Sequence, residues 1–335
     1  MPLTSWSSDL VKKNIPEEEY RHWKTIDLWP SFTKQLIKNP LLDILQKGQP
    51  HIRFQVARDV LGFPIKHPLV SIINRMLHYQ KKYKKILNDE IKFTISDSAK
   101  QRELDFIFLM EKLHGLVSFG GYKHMKGVDD LIIGAMDYQN PDGRFPGLYH
   151  HHAKMCGTLV KLGLQGNRLL DRSYNWIIER QREDGGWLHR SMVQKGKTIK
   201  SQKSCIWTSV EILHAISMRR SMVKSRSMEK GIQFLEKQLF NKNSTPFLEH
   251  LSPWNYFSVG AKGETLFTGG SLKVLEIFVN YGLTQKDKTV DKLVSGILQT
   301  QMETGYFPFQ KSKTPMPDPY VTMRFLKILR LLSQR

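Results

Sequence analysis

The chain has 335 residues, 40% of them hydrophobic and 10% aromatic, enough to bury the core of one large repeat domain or two ordinary domains. Its 51 Lys and Arg against 31 Asp and Glu give a formal net charge of +20, which attracts phosphates, anionic lipid headgroups or nucleic acid. No apolar run reaches the roughly 18 residues of a membrane-spanning helix, no secretory signal is recognisable, and two cysteines exclude a disulfide scaffold, so a cytoplasmic location is expected.

The first hundred residues predict an arm followed by short helices. Residues 1–30 are polar and aromatic, and we expect them to form an N-terminal arm. Helices are predicted at 31–47, with an interruption near Asn39 and Pro40, and at 51–61 and 68–87. The next helix, 98–116, is apolar nearly all round, which predicts burial on both sides and hence an inner position.

From there the chain alternates between more apolar and more amphipathic helices, which predicts inner and outer layers. The predicted inner helices are 51–61, 98–116, 150–162, 205–218, 264–281 and 320–332. The predicted outer helices are 128–139, 169–181, 228–239 and 288–301, and an N-terminal helix would fill the last outer place. The predicted fold is therefore all-α, an α/α toroid of about six inner and five to six outer helices forming a single domain over 31–335, with an open solenoid as the alternative.

One short motif recurs after the outer helices. It reads Gln, three residues, Gly, one residue, aromatic, and its copies are Gln139-Gly143-Phe145, Gln181-Gly185-Trp187 and Gln301-Gly305-Phe307. A degenerate copy of the motif lies at 234–240. A unit that recurs about every 40 to 60 residues indicates a repeat architecture. The Gln amide can satisfy backbone groups at a helix end, the Gly permits positive φ, and the aromatic can fold back onto the helix. We interpret the motif as a structural staple.

Three such motifs between helix pairs resemble the terpenoid cyclase and protein prenyltransferase superfamily, and in particular stand-alone prokaryotic proteins with squalene-cyclase-like repeats. The resemblance covers 98–334 well and 31–97 more loosely. It implies an α/α toroid with inner helices around a cavity, and an isoprenoid as the ligand of that cavity.

The resemblance also implies a diphosphate site. Protein prenyltransferases hold the prenyl diphosphate with a His six residues before a helical Cys-Gly and an Arg three residues after the motif aromatic. His150 stands six residues before Cys156, and Arg190 stands three residues after Trp187. The basic loop 188–204, which includes Lys203, leads into a helix N-terminus and would add positive charge. We expect His150, Arg190 and Lys203 to bind the diphosphate; a basic loop without a ligand is the alternative.

The catalytic groups of the superfamily do not carry over. Its prenyltransferases ligate zinc with an Asp, a Cys and a His, and this chain matches only Cys205, because Lys203 and Val321 stand at the other two positions. No metal and no cofactor are therefore expected. The cyclases protonate an alkene with an Asp-x-Asp-Asp run, which this sequence lacks. Glu264, Asp105 and Glu211 are the acids near the predicted cavity, and Glu211 with His214 is typical of a core pair.

Four side chains are expected to line the cavity: Cys205, Trp207, Trp254 and Tyr320. Aromatic walls bind isoprenoid chains through their faces, although ordinary core packing is the alternative for each of them. The expected partner is an isoprenoid or other anionic small molecule, with peripheral contact to a membrane also open, and no nucleic-acid-binding signature accompanies the charge. Two functions stay open: binding, with or without transformation, of an isoprenoid diphosphate, and a non-catalytic scaffold that uses a basic mouth of the toroid.

Overall fold

A computed structural model describes residues 30–78, 98–125, 127–189, 202–239, 270–309 and 314–335. Over these ranges the chain forms twelve α-helices and no strand, apart from an isolated bridge between Pro308 and Pro317. The predicted all-α class is confirmed. None of the helices in these ranges has the length and apolar character that crossing a membrane requires.

The described residues form two compact units. The terminal unit comprises 30–78 and 295–335, and the central unit comprises 98–294. The single domain predicted for 31–335 stays a prediction, as does the arm at 1–30, whose residues up to 29 lie outside the described ranges.

The terminal unit is built from short N-terminal helices around one long C-terminal helix. Its elements are a 3₁₀ turn at Ser31–Gln35, α1 at Leu41–Lys47, α2 at Pro50–Gln55 with a π turn at Val56–Val60, α3 at Pro68–His78, and α12 at Pro319–Ser333. Helix α12 packs on the 3₁₀ turn, on α2 and on the π turn. The predicted interruption is confirmed, since α1 begins only after Asn39, whose side chain accepts a hydrogen bond of 2.9 Å from the amide of Leu41.

The central unit has two layers of helices. In chain order the helices are α4 at Ala99–Ser118, α5 at Val128–Asp137, α6 at Tyr149–Lys161, α7 at Arg168–Ile178, α8 at Ile206–Met218, α9 at Arg226–Gln238, α10 at Ser271–Tyr281 and α11 at Lys288–Leu298, of which residues 295–298 belong to the terminal unit. Helices α4, α6, α8 and α10 pack in that order as one layer, while α5, α7 and α9 pack on α4, α6 and α8 from the other side. The predicted alternation of inner and outer helices is therefore confirmed in this unit.

Burial follows the layers, with one exception. Every residue of α8 from Ile206 to Ser217 is buried, as expected for an inner helix. Helix α4 was predicted to be buried on both sides, and this is wrong: Leu104 is 53% exposed and Phe108 is 56% exposed. Among the described helices of the central unit, α6 is the inner helix that makes the main contact with α4, and Leu104 and Phe108 lie outside that contact's protection.

The three motif glutamines act as the predicted staple. Each amide nitrogen donates to the carbonyl oxygen of the motif glycine and to a carbonyl oxygen of the element that follows the motif in the outer layer. The second bonds are Gln139 to Leu169 at 2.8 Å, Gln181 to Ser227 at 2.8 Å and Gln301 to Lys38 at 2.6 Å. The degenerate copy at 234–240 begins inside α9, which ends at Gln238, whereas the three motif glutamines follow the ends of their helices. Phe240 lies outside the described residues.

The remaining motif positions repeat as well. The motif glycines Gly143, Gly185 and Gly305 have φ of 91°, 88° and 89°, which confirms the predicted positive φ. Each motif aromatic donates its backbone N–H to a polar side chain of the next inner helix. These bonds run from Phe145 to His152 at 3.0 Å, from Trp187 to Ser209 at 2.9 Å and from Phe307 to Thr322 at 2.9 Å. One motif therefore fixes three elements: the helix before it, the next outer element and the next inner helix.

The third motif joins the two ends of the terminal unit. Gln301 donates to Lys38, and its Oε1 accepts a hydrogen bond of 2.7 Å from the amide of Ile37. The segment 37–40 binds the glutamine of the third motif in the same way as α7 and α9 bind the glutamines of the first and second motifs. An N-terminal helix was predicted for the last outer place, and the segment that binds Gln301 is instead the extended stretch between the 3₁₀ turn and α1.

Candidate functional site

The residues expected to form the site lie in different parts of the chain. His150 is buried at the start of α6, and Cys205 and Trp207 are buried at the start of α8. Lys203 is exposed in the segment that leads into α8. Tyr320 is half-buried on α12, in the terminal unit. Arg190, Trp254 and Glu264 lie outside the described residues, as do most of the loops 188–204 and 241–263.

Three imidazoles cluster where α6 begins. The ring centroids of His150 and His151 are 4.2 Å apart, and those of His150 and His189 are 5.2 Å apart. Burial lowers the pKa of His150 to about 3 and that of His151 to about 4, and it also lowers the pKa of His189. The three rings are therefore neutral at pH 7, so His150 can act on an anion only as a hydrogen-bond donor and not as a cation.

The tautomer of His151 is set by the backbone. The amide of Leu148 donates to Nδ1 of His151 at 3.3 Å, so the proton of the neutral ring is on Nε2. This Nε2–H is buried and has no acceptor among the described residues. Since a buried donor without an acceptor costs free energy, this N–H favours an acceptor supplied by a ligand.

His152 has a different role from its two neighbours. Its Nδ1 accepts from the amide of Phe145, and its Nε2 lies 2.8 Å from the carbonyl oxygen of Ser173. Both ring nitrogens are thus used to fasten α6 to the first motif and to α7. Three consecutive histidines look alike in sequence, so this structural role of His152 could not be predicted.

Further along the inner helices, charged groups face one another. Lys273 on α10 forms a buried ion pair with Glu211 on α8. Glu211 also acts on His150, where it opposes the larger effect of burial on the pKa of that ring, and Lys154 acts in the same direction as burial. The charged groups therefore lie within electrostatic range of the histidine cluster.

A second pair lies one turn along the same two helices. Nε2 of His214 on α8 is 3.2 Å from Oε2 of Glu276 on α10. One turn further, the side-chain amide of Asn280 donates to the hydroxyl of Ser217 at 3.2 Å. Glu211 and His214, expected from their spacing to form a core pair, are thus each joined to α10. We call the three contacts between α8 and α10 the polar ladder.

The neighbouring inner helices α4 and α6 also share polar groups. Nδ1 of His114 on α4 is 3.3 Å from the hydroxyl of Thr158 on α6. The pKa of His114 is held well below its usual range, first by burial and then by the charges of Lys154, Lys161 and Lys273. Groups from all four inner helices of the central unit therefore interact with one another.

On the inner helices, the described buried lysines outnumber the buried carboxylates. The buried charged residues on α4, α6, α8 and α10 are Lys112, Lys154 and Lys273 against Glu211 and Glu276. Sequence reasoning missed Lys154, Lys273 and Glu276. A signal was present, because Lys273 and Glu276 on an otherwise apolar helix have the same i, i+3 spacing as Glu211 and His214.

The zinc chemistry of the prenyltransferases gains no support from the geometry. In the part of the chain that the structure describes, no three His, Cys, Asp or Glu side chains group as a metal site requires. Burial raises the pKa of the Cys205 thiol, which disfavours the thiolate that zinc binds. The absence of zinc, expected from the sequence, stays a prediction.

Comparisons with known proteins find matches among solved structures alone. No protein-family model and no curated protein matches this chain. Among solved structures, the chain is similar to one titled "Structure of type II terpene cyclase MstE from Scytonema (apo)", with 10% sequence identity and a TM-score of 0.41, over 85% of this chain and 87% of that one. The helical class and the layered arrangement described above rest on the helices themselves.

Proposed function

We propose that the central unit binds a prenyl diphosphate, with the diphosphate beside His150, His151 and His189 and the prenyl chain among the inner helices. The observation that carries this proposal is the buried Nε2–H of His151, a hydrogen-bond donor that lacks an acceptor among the described residues. It lies beside two more neutral imidazoles at the beginning of α6.

An anion suits this place for electrostatic reasons. Neutral imidazoles can donate hydrogen bonds to phosphate oxygens without first burying their own charge. The N-terminus of α6 adds the positive end of a helix dipole. The excess of buried lysines over carboxylates on the inner helices acts in the same direction. Arg190 directly follows the buried His189, and we propose it with Lys203 as cationic ligands of the same diphosphate.

The isoprenoid part of the proposal rests on the motif resemblance. The contacts of the three motifs support the helix-pair repeat that carries the resemblance. Trp207 is a buried aromatic in the first turn of α8 and a candidate to contact the prenyl chain. Lysines, glutamates and histidines also lie between the inner helices, so a bound prenyl chain would contact polar as well as apolar side chains.

Calorimetric titration with geranylgeranyl diphosphate tests the proposal. His151→Phe keeps a flat ring but removes the N–H donor, and Arg190→Ala removes a charge. Each should weaken binding about tenfold to a hundredfold, the range for one hydrogen bond to a charged group. Arg220→Ala is the matched control, because Arg220 is exposed beyond the opposite end of α8. Inorganic diphosphate should compete with the ligand.

Two results would contradict the proposal. One is equal affinity in the wild type, His151→Phe and Arg190→Ala. The other is the absence of binding for farnesyl and geranylgeranyl diphosphate alike. The net charge of +20 and the exposed Lys203 favour the second candidate, a non-catalytic scaffold for an anionic macromolecule. Native mass spectrometry of protein from cells would then show that macromolecule and no lipid diphosphate.

A further inference from the structure

The segments that connect each inner helix of the central unit to the next outer helix lie side by side. Hydrogen bonds to backbone oxygens join each segment to its neighbour. They run from the amide of Lys123 to Leu162 at 2.9 Å, from the side chain of Gln165 to Met218 at 2.6 Å, and from the side chain of Lys224 to Tyr281 at 2.9 Å. Four segments that are far apart in the sequence therefore form one continuous row, which follows the ends of α4, α6, α8 and α10.

This row is rich in cations, and we call its residues 122–124, 161–168, 219–226 and 281–288 the basic stripe. Its cations are Lys123, Lys161, Arg168, Arg219, Arg220, Lys224, Arg226, Lys286 and Lys288, against the single carboxylate of Asp287. All of these cations except Lys123 and Arg219 are exposed. The first turns of the outer helices contribute fewer carboxylates, namely Asp129, Asp130, Asp171, Glu229 and Asp291, and Asp171 is paired with the buried Arg219. The stripe therefore has an excess of positive charge.

Three of these cations recur at a position where a helix disfavours them. Arg168, Arg226 and Lys288 are the first residues of α7, α9 and α11, and all three are exposed. The N-terminus of a helix is the positive end of its dipole, so a cation there is repelled. Compensation of a helix dipole explains Lys161, in the last turn of α6, but it does not explain the three at helix starts. A local choice that works against stability in three successive outer helices indicates a function.

We propose that the basic stripe binds the phosphate backbone of double-helical nucleic acid without reading its bases. Exposed lysines and arginines are common ligands of phosphate oxygens, and such contacts carry no sequence information. Packed helices are about 8–10 Å apart, so four inner helices in a row extend the stripe over about 24–30 Å. This matches about seven to nine base pairs of a duplex. The inference does not rest on the proposed function, because the histidine cluster lies where α6 begins and the stripe lies where it ends.

The side chains of the stripe favour a duplex over a single strand and over a membrane. Single strands are held by aromatic rings on which bases stack. The two tyrosines of the stripe, Tyr122 and Tyr281, are half-buried, and the ammonium of Lys224 lies 4.8 Å from the ring centre of Tyr281. Membrane surfaces are bound by apolar residues together with cations. Of the large hydrophobic residues that are exposed in the described ranges, Leu169 adjoins the stripe at the start of α7, whereas the others lie elsewhere in the sequence.

Fluorescence anisotropy with the full-length protein and a labelled DNA duplex of roughly 20 base pairs tests the proposal. The wild type should bind with a Kd of about 1–100 μM at physiological salt, as is typical of binding that does not depend on sequence. Duplexes of different sequence should bind equally well. A plot of the logarithm of the association constant against that of the salt concentration should have a slope of about −4.5 to −6, from 0.9 per phosphate for five to seven contacts.

Two variants with the same net charge separate the stripe from the charge of the whole protein. The stripe variant combines Arg168→Gln, Arg220→Gln, Arg226→Gln and Lys288→Gln. It should bind the duplex about a hundredfold or more weakly at low salt, and its salt slope should flatten by about 3 to 4. The control variant replaces four exposed lysines outside the stripe by glutamine: Lys34, Lys66, Lys100 and Lys237. Its affinity should stay within about threefold of the wild type. The stripe variant should melt no lower than the wild type, since three of its substitutions remove a cation from a helix start.

Several outcomes would overturn the inference. Equal losses in the two variants would show a response to net charge alone. Tighter binding to a single strand than to the duplex would contradict the choice of partner. Binding to vesicles that contain phosphatidylserine, lost in the stripe variant and without binding to the duplex, would assign the stripe to a membrane. Calorimetric titration with geranylgeranyl diphosphate should give the same affinity in the stripe variant and the wild type, so the failure of either proposal leaves the other standing.

Discussion

Gln301 donates a hydrogen bond of 2.6 Å to the backbone oxygen of Lys38, which lies 263 positions earlier in the chain. Its Oε1 accepts from the amide of Ile37, and its Nε2 also donates to Gly305. One side chain therefore connects the third motif to the N-terminal segment. Gln139 and Gln181 make the corresponding bonds to α7 and α9.

Replacing Gln301 by alanine should destabilise the protein by about 2–4 kcal/mol, because three hydrogen bonds of about 0.5–1.5 kcal/mol each are lost. Urea denaturation monitored by circular dichroism measures the change. Gln165→Ala is the matched control, since Gln165 lies outside the motifs and donates one bond of 2.6 Å to Met218. Equal effects of the two substitutions would show that the motif glutamine has no special role.

Removing residues 1–97 should prevent folding of the terminal unit. Gln301 would lose Lys38, Tyr306 would lose its bond of 2.9 Å to Asp43, and Arg330 would lose its bond of 3.1 Å to the backbone of Asp59. We expect the 98–335 fragment to aggregate or to melt without cooperativity, whereas a 31–335 fragment should melt like the full chain. Scanning calorimetry with light scattering compares them. A soluble 98–335 fragment with a sharp transition would count against the single predicted domain.

Gly185→Ala should be strongly destabilising. Gly185 has φ of +88°, and a Cβ there would collide with the backbone carbonyl of Lys230. The strain and the displacement of α9 should cost about 2–4 kcal/mol. Gly296→Ala is the opposite case, because a Cβ at Gly296 meets nothing within 4 Å and the residue is inside α11. It should stabilise the protein by about 0.5–1 kcal/mol. Thermal melts of both variants measure these opposite effects on stability. A Gly185→Ala variant as stable as the wild type would contradict the prediction.

Stability should fall with acid between about pH 6.5 and 4. Histidines of the unfolded chain titrate near 6.5, while His151, His152 and His214 have pKa values of about 4 in the folded state because they are buried. The unfolded state therefore binds more protons in this window, and the stabilising contribution is complete only above it. Each such histidine should cost on the order of 3 kcal/mol by pH 4.

Urea midpoints measured from pH 8 to pH 4 test this dependence. His152→Ser is the informative variant, because Ser209 shows that a serine can accept the amide of a motif aromatic. It should be less stable at pH 8 but lose less stability on acidification. His124→Gln, at an exposed position, should follow the wild type. A pH-independent midpoint in the wild type would contradict the neutral, buried state of these histidines.

Sequence reasoning located the helices and motifs because these depend on local chemistry. The spacing of apolar residues predicted α6 and α8. The motif residues Gln181 and Gly185 predicted the turn that follows α7. The pairing of His214 with Glu276 depends on the packing of two helices whose residues are 62 positions apart. The neutral state of His150 depends on burial, which a sequence motif does not report.

The atoms nearest to the glycines of the three motifs belong to the backbone, and side-chain atoms lie somewhat farther away. Cβ atoms at Gly143, Gly185 and Gly305 would meet the backbones of Arg172, Lys230 and Lys38. The glutamines, likewise, bind carbonyl groups that every amino acid has. An outer helix can therefore exchange its residues at these positions without losing the contact, so repeats of this design can drift apart in sequence while their geometry persists. A search for distant relatives should weight the glutamine and glycine columns far above the helices they join.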